Sequence, residues 1–309
     1  MRGMYRDKEI REATRQKWAT YDVPGYMAIE VAPLATLIPR AQGLVALDIG
    51  ANKGFWSKAF LNTFAGSVSH IYMIDPSPEN VRELDNREDN LIFSPEDFKF
   101  LSAHNFAAGA SNGEATLYTN EDGSPLGSLY PHKFSGAAGA NMGISLDKTI
   151  STTVKTVDEF LAENAIPHVD IMKLDTEGHE FDIIAGSVNA LKSERIDCLF
   201  WEFGIHQVES RHFFVDYFEL LSDLKYNIYF VNNGTSIPIP KYTYKYENFT
   251  ADFNFAATRR AAVPEWFSEE KYLSDHPDVK AAVDAKKILS GLHHWLEYGR
   301  VEGRLLRRR

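Results

Sequence analysis

Asp48-Ile49-Gly50-Ala51-Asn52-Lys53-Gly54, preceded by the apolar run Leu44 to Leu47 and followed by a helical stretch over 55–64, decides how this chain is read. An apolar run, a glycine turn and a helix in that order form the first nucleotide-binding turn of an open α/β sheet. The glycine spacing narrows the nucleotide. A dinucleotide fold needs G-x-G-x-x-G so that its backbone can approach a pyrophosphate, whereas here Asp48 takes the place of the first glycine in D-x-G-x-N-x-G. A carboxylate there repels pyrophosphate and suits a ligand that carries an ammonium or sulfonium group beside a ribose. A second apolar run, Ile71-Tyr72-Met73-Ile74, ends in Asp75 about 20 residues beyond the turn, the place of a ribose-binding carboxylate. The two acids and two glycines together point to S-adenosylmethionine rather than NAD.

Outward from this turn, apolar runs and helical periodicity alternate. Strands are expected at 44–48, 71–75, 100–107, 115–119, 168–175, 196–202, 227–231 and 253–257, and helices at 55–64, 79–88, 157–164, 180–191 and 215–224. Strands interleaved with helices of this length predict a mostly parallel sheet with helices on both faces and hairpin-like additions late in the chain. Residues 1–42 read as a helical lead-in interrupted at Pro24, Pro33 and Pro39, residues 43–263 as the main domain, and residues 264–309 as a C-terminal helical module. Residues 120–151, polar and rich in glycine, are too long for a turn and read as a lid over a binding site or as disorder.

Composition bounds the function. The 309 residues, 44% of them hydrophobic, suffice for one large core and an appendage. No apolar stretch approaches the roughly 20 residues of a membrane span, and the first 17 residues are charged throughout, so the expectation is a soluble, cytoplasmic protein. Cys198, the single cysteine, sits in an apolar run as core filler and excludes a disulfide framework. A net charge of −10 makes nucleic acid a poor partner.

Four apolar strands each end in a carboxylate: Asp48, Asp75, Asp175 and Glu202. In open α/β sheets ligands bind beyond the carboxyl ends of the strands at the topological switch point, so these acids are expected to ring one pocket. Any one of them could instead be a helix cap or turn former.

The sequence from Asp48 to Ser57, Asp75-Pro76-Ser77-Pro78, Val157-Asp158-Glu159-Phe160-Leu161, Asp170-Ile171-Met172-Lys173-Leu174-Asp175-Thr176-Glu177-Gly178-His179-Glu180 and Phe200-Trp201-Glu202 resembles the FkbM family of S-adenosylmethionine-dependent methyltransferases. The K-x-D-x-E-G-x-E element is the most specific part. The resemblance covers residues 43–260 and implies a seven-stranded, Rossmann-like class I methyltransferase fold and O-methylation of hydroxyl groups on sugars, polyketides or other metabolites.

On the donor side, Gly50 and Gly54 let the backbone approach the methionine moiety, Asp48 attracts its ammonium, and Asn52 tolerates a left-handed turn. Asp75 accepts from the ribose hydroxyls, Pro76 and Ser77 wall the adenine, and Phe106, Ala107 and Ala108 offer an adenine contact. On the acceptor side a sugar hydroxyl must lose its proton during attack. Asp175, as ligand or base, leads the candidates, followed by Glu202, His179 and His206. Glu177 reads equally as an acid stabilised by a helix dipole. Lys173 is expected to neutralise an acid rather than to perform chemistry. Clustered acids suit Mg²⁺, but no histidine spacing reads as a zinc site, and no metal is expected to be required. Ser128-Leu129-Tyr130 and His132 are the acceptor candidates in the lid.

The segments Trp266-Phe267, Tyr272-Leu273, Asp275-His276-Pro277-Asp278-Val279 and His294 to Arg304 resemble a short helical module of bacterial surface-glycan proteins, with His276 where the pattern has Asn. Physically they form a two-helix hairpin broken by Gly299 and Gly303. The module either packs on its own domain or a second subunit, or docks in glycan assembly, which tilts the acceptor toward a saccharide or glycan precursor. A polyketide or other small-metabolite acceptor, and an inactive scaffold on the same fold, are the alternatives.

Overall fold

The computed structural model describes residues 23–38, 42–131, 145–232, 235–249, 252–259, 268–285, 287–288, 290–295 and 298. In chain order the strands are β1 (Leu44–Ile49), β2 (Val68–Asp75), β3 (Leu101–Asn105), β4 (Ala107–Ala108), β5 (Gly113–Thr119), β6 (Lys148–Lys155), β7 (Val169–Leu174), β8 (Ile196–Phe203), β9 (Tyr226–Asn232), β10 (Thr235–Pro238) and β11 (Phe253–Arg259). Eight of them form one sheet in the order β10-β9-β11-β8-β7-β1-β2-β3, and β4, β6 and β5 form a small second sheet. The strands from β8 to β3 pair in parallel, while β11, β9 and β10 add on antiparallel.

Each face of the sheet carries its own core, as period-two alternation requires. On β1, Leu47 and Ile49 pack in one core with Phe160, Leu161, Ile183, Phe214 and Tyr217. Leu44 and Ala46 pack in the other with Trp56, Phe60, Ile71 and Met73. Helices Val157–Glu163, Glu180–Ala185 and Phe214–Asp223 thus cover one face and helix Phe55–Thr63 the other. The sheet is doubly wound, and its strand order reverses between β1 and β7.

The structure differs from the sequence expectation at several points. The sheet has eight strands rather than seven, because β10 closes a hairpin on the edge of β9. The run over 100–107 is split: β3 ends at Asn105, and Ala107–Ala108 turns away to pair with β6. β6 itself occupies 148–155, so the expected lid over 120–151 gives up its last residues to a strand whose alternation of threonines and apolar residues is weak. Pro24 does not break helix Val23–Val31, since it falls in the first turn, where no backbone N–H is required. Pro33 opens a 3-10 turn, Ala32–Thr36, and Pro39 lies outside the described residues.

Helix 180–191 is interrupted at Gly186 and Ser187, giving Glu180–Ala185 and Val188–Lys192. The cause is a close approach. A Cβ on Gly186 would lie 2.0 Å from the Gly109 carbonyl oxygen, and the Gly186 carbonyl accepts from Asp158 N at 3.2 Å.

Residues 260–309 form a compact unit separate from residues 1–259. Its described residues include three short helices, Glu269–Asp275, Pro277–Asp284 and Gly291–His294, around Tyr272, Val279 and Trp295. The Tyr272 hydroxyl pairs with His294 Nδ1 at 3.0 Å. Gly299 and Gly303 lie outside the described residues.

Gly186→Ala is expected to destabilise the chain by roughly 1–3 kcal/mol, the cost of overpacking a filled contact. Urea unfolding checks this, with the slope unchanged and the midpoint lowered.

Candidate functional site

Beyond the carboxyl ends of β1, β2 and β7, at the switch point, lies a cleft enclosing about 620 Å³ of empty space, part of it open to solvent, in the place where open α/β sheets bind their ligands. Gly50 and Asn52 line it from the first turn, Asp75, Pro76, Ser77 and Asn80 from the end of β2, and Asp175, Thr176, Glu177 and His179 from the end of β7. Phe106, Ala107 and Ala108 supply an apolar wall. Gly123, Ser124, Pro125, Gly127, Ser128 and Leu129 bring a strap of chain across it.

The Asp75 side chain is 5% exposed and rigidly held. Oδ1 accepts from Ser77 N at 2.9 Å and Asn80 Nδ2 at 3.0 Å, and Oδ2 from Asn52 N at 2.8 Å. Burial raises its pKa, against the pull of these donors and of Lys173. Ser77 caps helix Pro78–Leu84 by accepting from Asn80 N, and its hydroxyl donates to Asp122 of the strap at 2.5 Å. The strap is also tied by Asn52 Nδ2 to the Ser124 carbonyl at 3.3 Å, by Ser128 Oγ to the Glu177 carbonyl at 2.8 Å and by the Tyr130 hydroxyl to Asp182 at 2.8 Å.

Gly50 is a glycine for a steric reason. Its φ is +75°, and a Cβ there would lie 1.8 Å from the Asp175 carbonyl oxygen. Gly54, at φ +82°, is set by packing, since its Cβ would meet the Phe93 ring at 2.6 Å, and it is not in the cavity lining.

The four strand-end acids therefore divide. Asp75 and Asp175 line the cavity, and Asp48 and Glu202 do not. Asp48 is fully buried behind the turn, accepts from Ser57 Oγ at 2.6 Å and pairs with Lys173 Nζ at 3.0 Å, so it supports the turn rather than facing the cavity. Lys173 also donates to the Gly50 carbonyl at 2.9 Å and reaches Asp175 at 3.5 Å. Burial pulls its pKa down, but Asp48 and Asp175 outweigh burial and hold it above the ordinary lysine value.

A model of the FkbM methyltransferase domain matches residues 48–228. The chain belongs to this family. The hexuronic acid methyltransferase AglP of Haloferax volcanii is 22% identical over 151 residues, 48% of this chain and 52% of the relative, so the chain spans about half the length of the curated relative it matches. Among solved structures, an FkbM methyltransferase from Methylobacillus flagellatus KT is similar at a TM-score of 0.43 and 14% identity, covering 70% of this chain and 44% of that one. CalO1, a methyltransferase in calicheamicin biosynthesis, is similar at a TM-score of 0.34 and 11% identity, covering 75% and 54%.

In this FkbM chain the K-x-D-x-E-G-x-E element acts largely as a mechanical loop. Glu180, 1% exposed, accepts at Oε1 from Thr176 N at 2.7 Å, Thr176 Oγ1 at 3.0 Å and Gly178 N at 3.3 Å, and at Oε2 from Gln207 Nε2 at 2.7 Å. Gly178 adopts φ +107°, and a Cβ there would lie 2.7 Å from the His206 carbonyl oxygen, so only glycine fits. Glu177, in the left-handed region at φ +56°, pairs with His206 Nδ1 at 3.0 Å.

Of the proton-transfer candidates, Asp175 and His179 line the cavity, and Glu202 and His206 lie outside the lining. Glu202, His206 and Asp252 bring ligand-type atoms within 4.8 Å of one another, as do His168, Asp170 and Asp197. Burial and the charges of Asp175, Glu177 and Asp252 push the Glu202 carboxyl well up. Burial lowers His206, but its hydrogen bond to Glu177 and the charges of Glu177, Asp252 and Glu180 prevail and raise it to about 9. His132 lies outside the described residues. Asn80, Thr119 and Asp182 carry site contacts that no motif marks; the spacing of Asn80 five residues past Asp75 on a capped helix is the one available signal.

Lys173→Met leaves Asp48 buried without its cation and is expected to cost about 3–5 kcal/mol, with partial recovery in the double variant with Asp48→Asn, both read by denaturant unfolding. His206 titrates higher in the folded chain than the ordinary 6.5. Its contribution is therefore full below pH 6.5 and lost as pH rises through about 9. Stability measured from pH 6 to 10 should fall across that window in the wild type, and the fall should flatten in His206→Gln.

Proposed function

We propose that this chain is an S-adenosylmethionine-dependent methyltransferase that methylates a hydroxyl group of a saccharide. The observation that carries the reading is the Asp75 carboxylate, buried in the cavity wall at the switch point with both oxygens oriented by three donors. Oδ1 already accepts from two donors and Oδ2 from one, so Oδ2 keeps a lone pair that suits a ribose hydroxyl, and its orientation before binding removes an ordering cost.

The rest of the lining fits the same ligand. Asn52, Asp75, Pro76 and Ser77 would hold the ribose and adenine, with Phe106, Ala107 and Ala108 as the apolar wall. Gly50 and Asp175 would hold the amino-acid end, where Asp175, 40% exposed at its side chain, presents negative charge to an ammonium or sulfonium. Gly54 and Asp48 act one step removed, by shaping the turn and anchoring Lys173. When bound, the cofactor supplies an electrophilic methyl group on a sulfonium. The chain's own part is to place the acceptor oxygen in line, to exclude water with the strap and to receive the hydroxyl proton.

A saccharide acceptor is supported by the relative named for hexuronic acid and by the C-terminal resemblance to surface-glycan proteins. No helix among the described residues is long and apolar enough to cross a membrane.

S-adenosylhomocysteine at 100 times its dissociation constant is expected to stabilise the chain by about 2.7 kcal/mol, raising the melting temperature by several degrees. Asp75→Ala should weaken binding at least tenfold and erase the rise. A wild-type melt that does not respond to the ligand overturns the donor assignment.

A further inference from the structure

Three side chains converge on one oxygen beside the cavity. The Tyr130 hydroxyl donates to Asp182 Oδ2 at 2.8 Å, His179 Nδ1 lies 3.4 Å from the same oxygen, and His212 Nε2 lies 3.6 Å from it. Each comes from a different place: Tyr130 follows the strap, His179 precedes helix Glu180–Ala185, which holds Asp182, and His212 precedes helix Phe214–Asp223. The His179 ring lines the cavity. Its Nδ1 is buried and faces Asp182 Oδ2 at 3.4 Å without a formed hydrogen bond. The side chain is still 15% exposed, and its Nε2 lies beside Gly109, where a Cβ would come within 3.1 Å of it.

An imidazole with Nδ1 against a carboxylate carries its proton on Nδ1 and leaves the Nε2 lone pair free. That is the state in which histidine accepts a proton from a hydroxyl, and hydrogen bonds of this kind are often long until substrate is present. We propose that His179 is the general base for the acceptor hydroxyl, and that Asp182 is the positioning residue that sets its tautomer, held in turn by Tyr130 and His212. This rests on the methyltransferase reading above. As the acceptor oxygen forms its bond to the methyl carbon, the hydroxyl proton passes to Nε2, and the electron pair of the broken carbon–sulfur bond stays on sulfur. The imidazolium, faced by the Asp182 anion, then returns its proton to solvent.

The charges around the ring agree with these roles. Burial holds His179 below the ordinary histidine value, with His212 acting in the same direction and Asp182 and Glu180 opposing. Burial raises Asp182, but His212, His179 and Tyr130 outweigh it and keep the carboxylate ionised. Tyr130 is pushed up by burial and by Asp182 and Glu180, and remains a donor. His206, by contrast, is outside the lining and already protonated at neutral pH.

The test is a histidine-selective ¹⁵N NMR titration of the full chain from pH 5 to 9, with His179 assigned by His179→Gln. The wild type should show the Nδ1–H tautomer and a midpoint below 6.5. Asp182→Asn removes the anion that favours the imidazolium, so the midpoint should drop by about one unit or more, with the tautomer no longer fixed. Tyr130→Phe should move the midpoint, and carries the same measurement if Asp182→Asn does not fold. An Nε2–H tautomer in the wild type, or a midpoint that neither variant moves, overturns the proposal. S-adenosylhomocysteine separates the two readings. If it stabilises the wild type while the His179 midpoint ignores Asp182, only this inference fails; if it does not bind at all, the donor reading fails and the base assignment with it.

Discussion

The buried ammonium of Lys173 is the interaction on which the rest of the site depends. It joins the ends of the two central strands, bonding Asp48 of β1 at 3.0 Å, the Gly50 carbonyl at 2.9 Å and Asp175 beyond β7 at 3.5 Å. A lone charge in that place would be costly, and so would Asp48 without it. Together they draw the first turn against the end of β7, where Gly50 leaves no space for a side chain beside the Asp175 carbonyl. The cavity opens directly above this contact.

From that anchor the site is built in two halves with different physics. The half at the ends of β1 and β2 is made of pre-aligned hydrogen bonds: Asp75 receives three donors, one of them from the Asn52 turn, and Ser77 both caps its helix and meets the strap. The part around the ends of β7 and β8 is made of charges kept close by burial. Asp175, Glu177, Glu180, Glu202 and Asp252 share a small volume with His206, and the result is a raised Glu202 and a protonated His206. Groups so committed to one another are poorly placed to take a proton from outside. His179 stands apart from them, on the cavity side of the same loop.

Much of the fold was legible because its signals are local. Alternating apolar runs at β1, β2, β7 and β8 and helical periodicity at 55–64 and 157–164 need no tertiary information to read. The edge was less legible. β10 and β6 are short or rich in threonine, and they become strands only because a neighbour offers a ladder. The break at Gly186 likewise has its cause at Gly109, 77 residues earlier in the chain. In the candidate site, Asp75 and Asp175 could be placed from strand ends alone, whereas Asp48 and Glu202 have the same signature and do not line the cavity.

The sequence by itself determined the family, the order of the central strands' chemistry and the acids at their ends, since motif and spacing are properties of the chain. Tertiary structure decided which of those acids face the cavity, because direction depends on what packs behind: Asp48 turns to Lys173, and Asp75 is turned by Asn52, Ser77 and Asn80. It also brought Tyr130, His179 and His212 onto Asp182 from three separate elements. No spacing in the sequence encodes that meeting, which exists only once the strap and two helices are packed together.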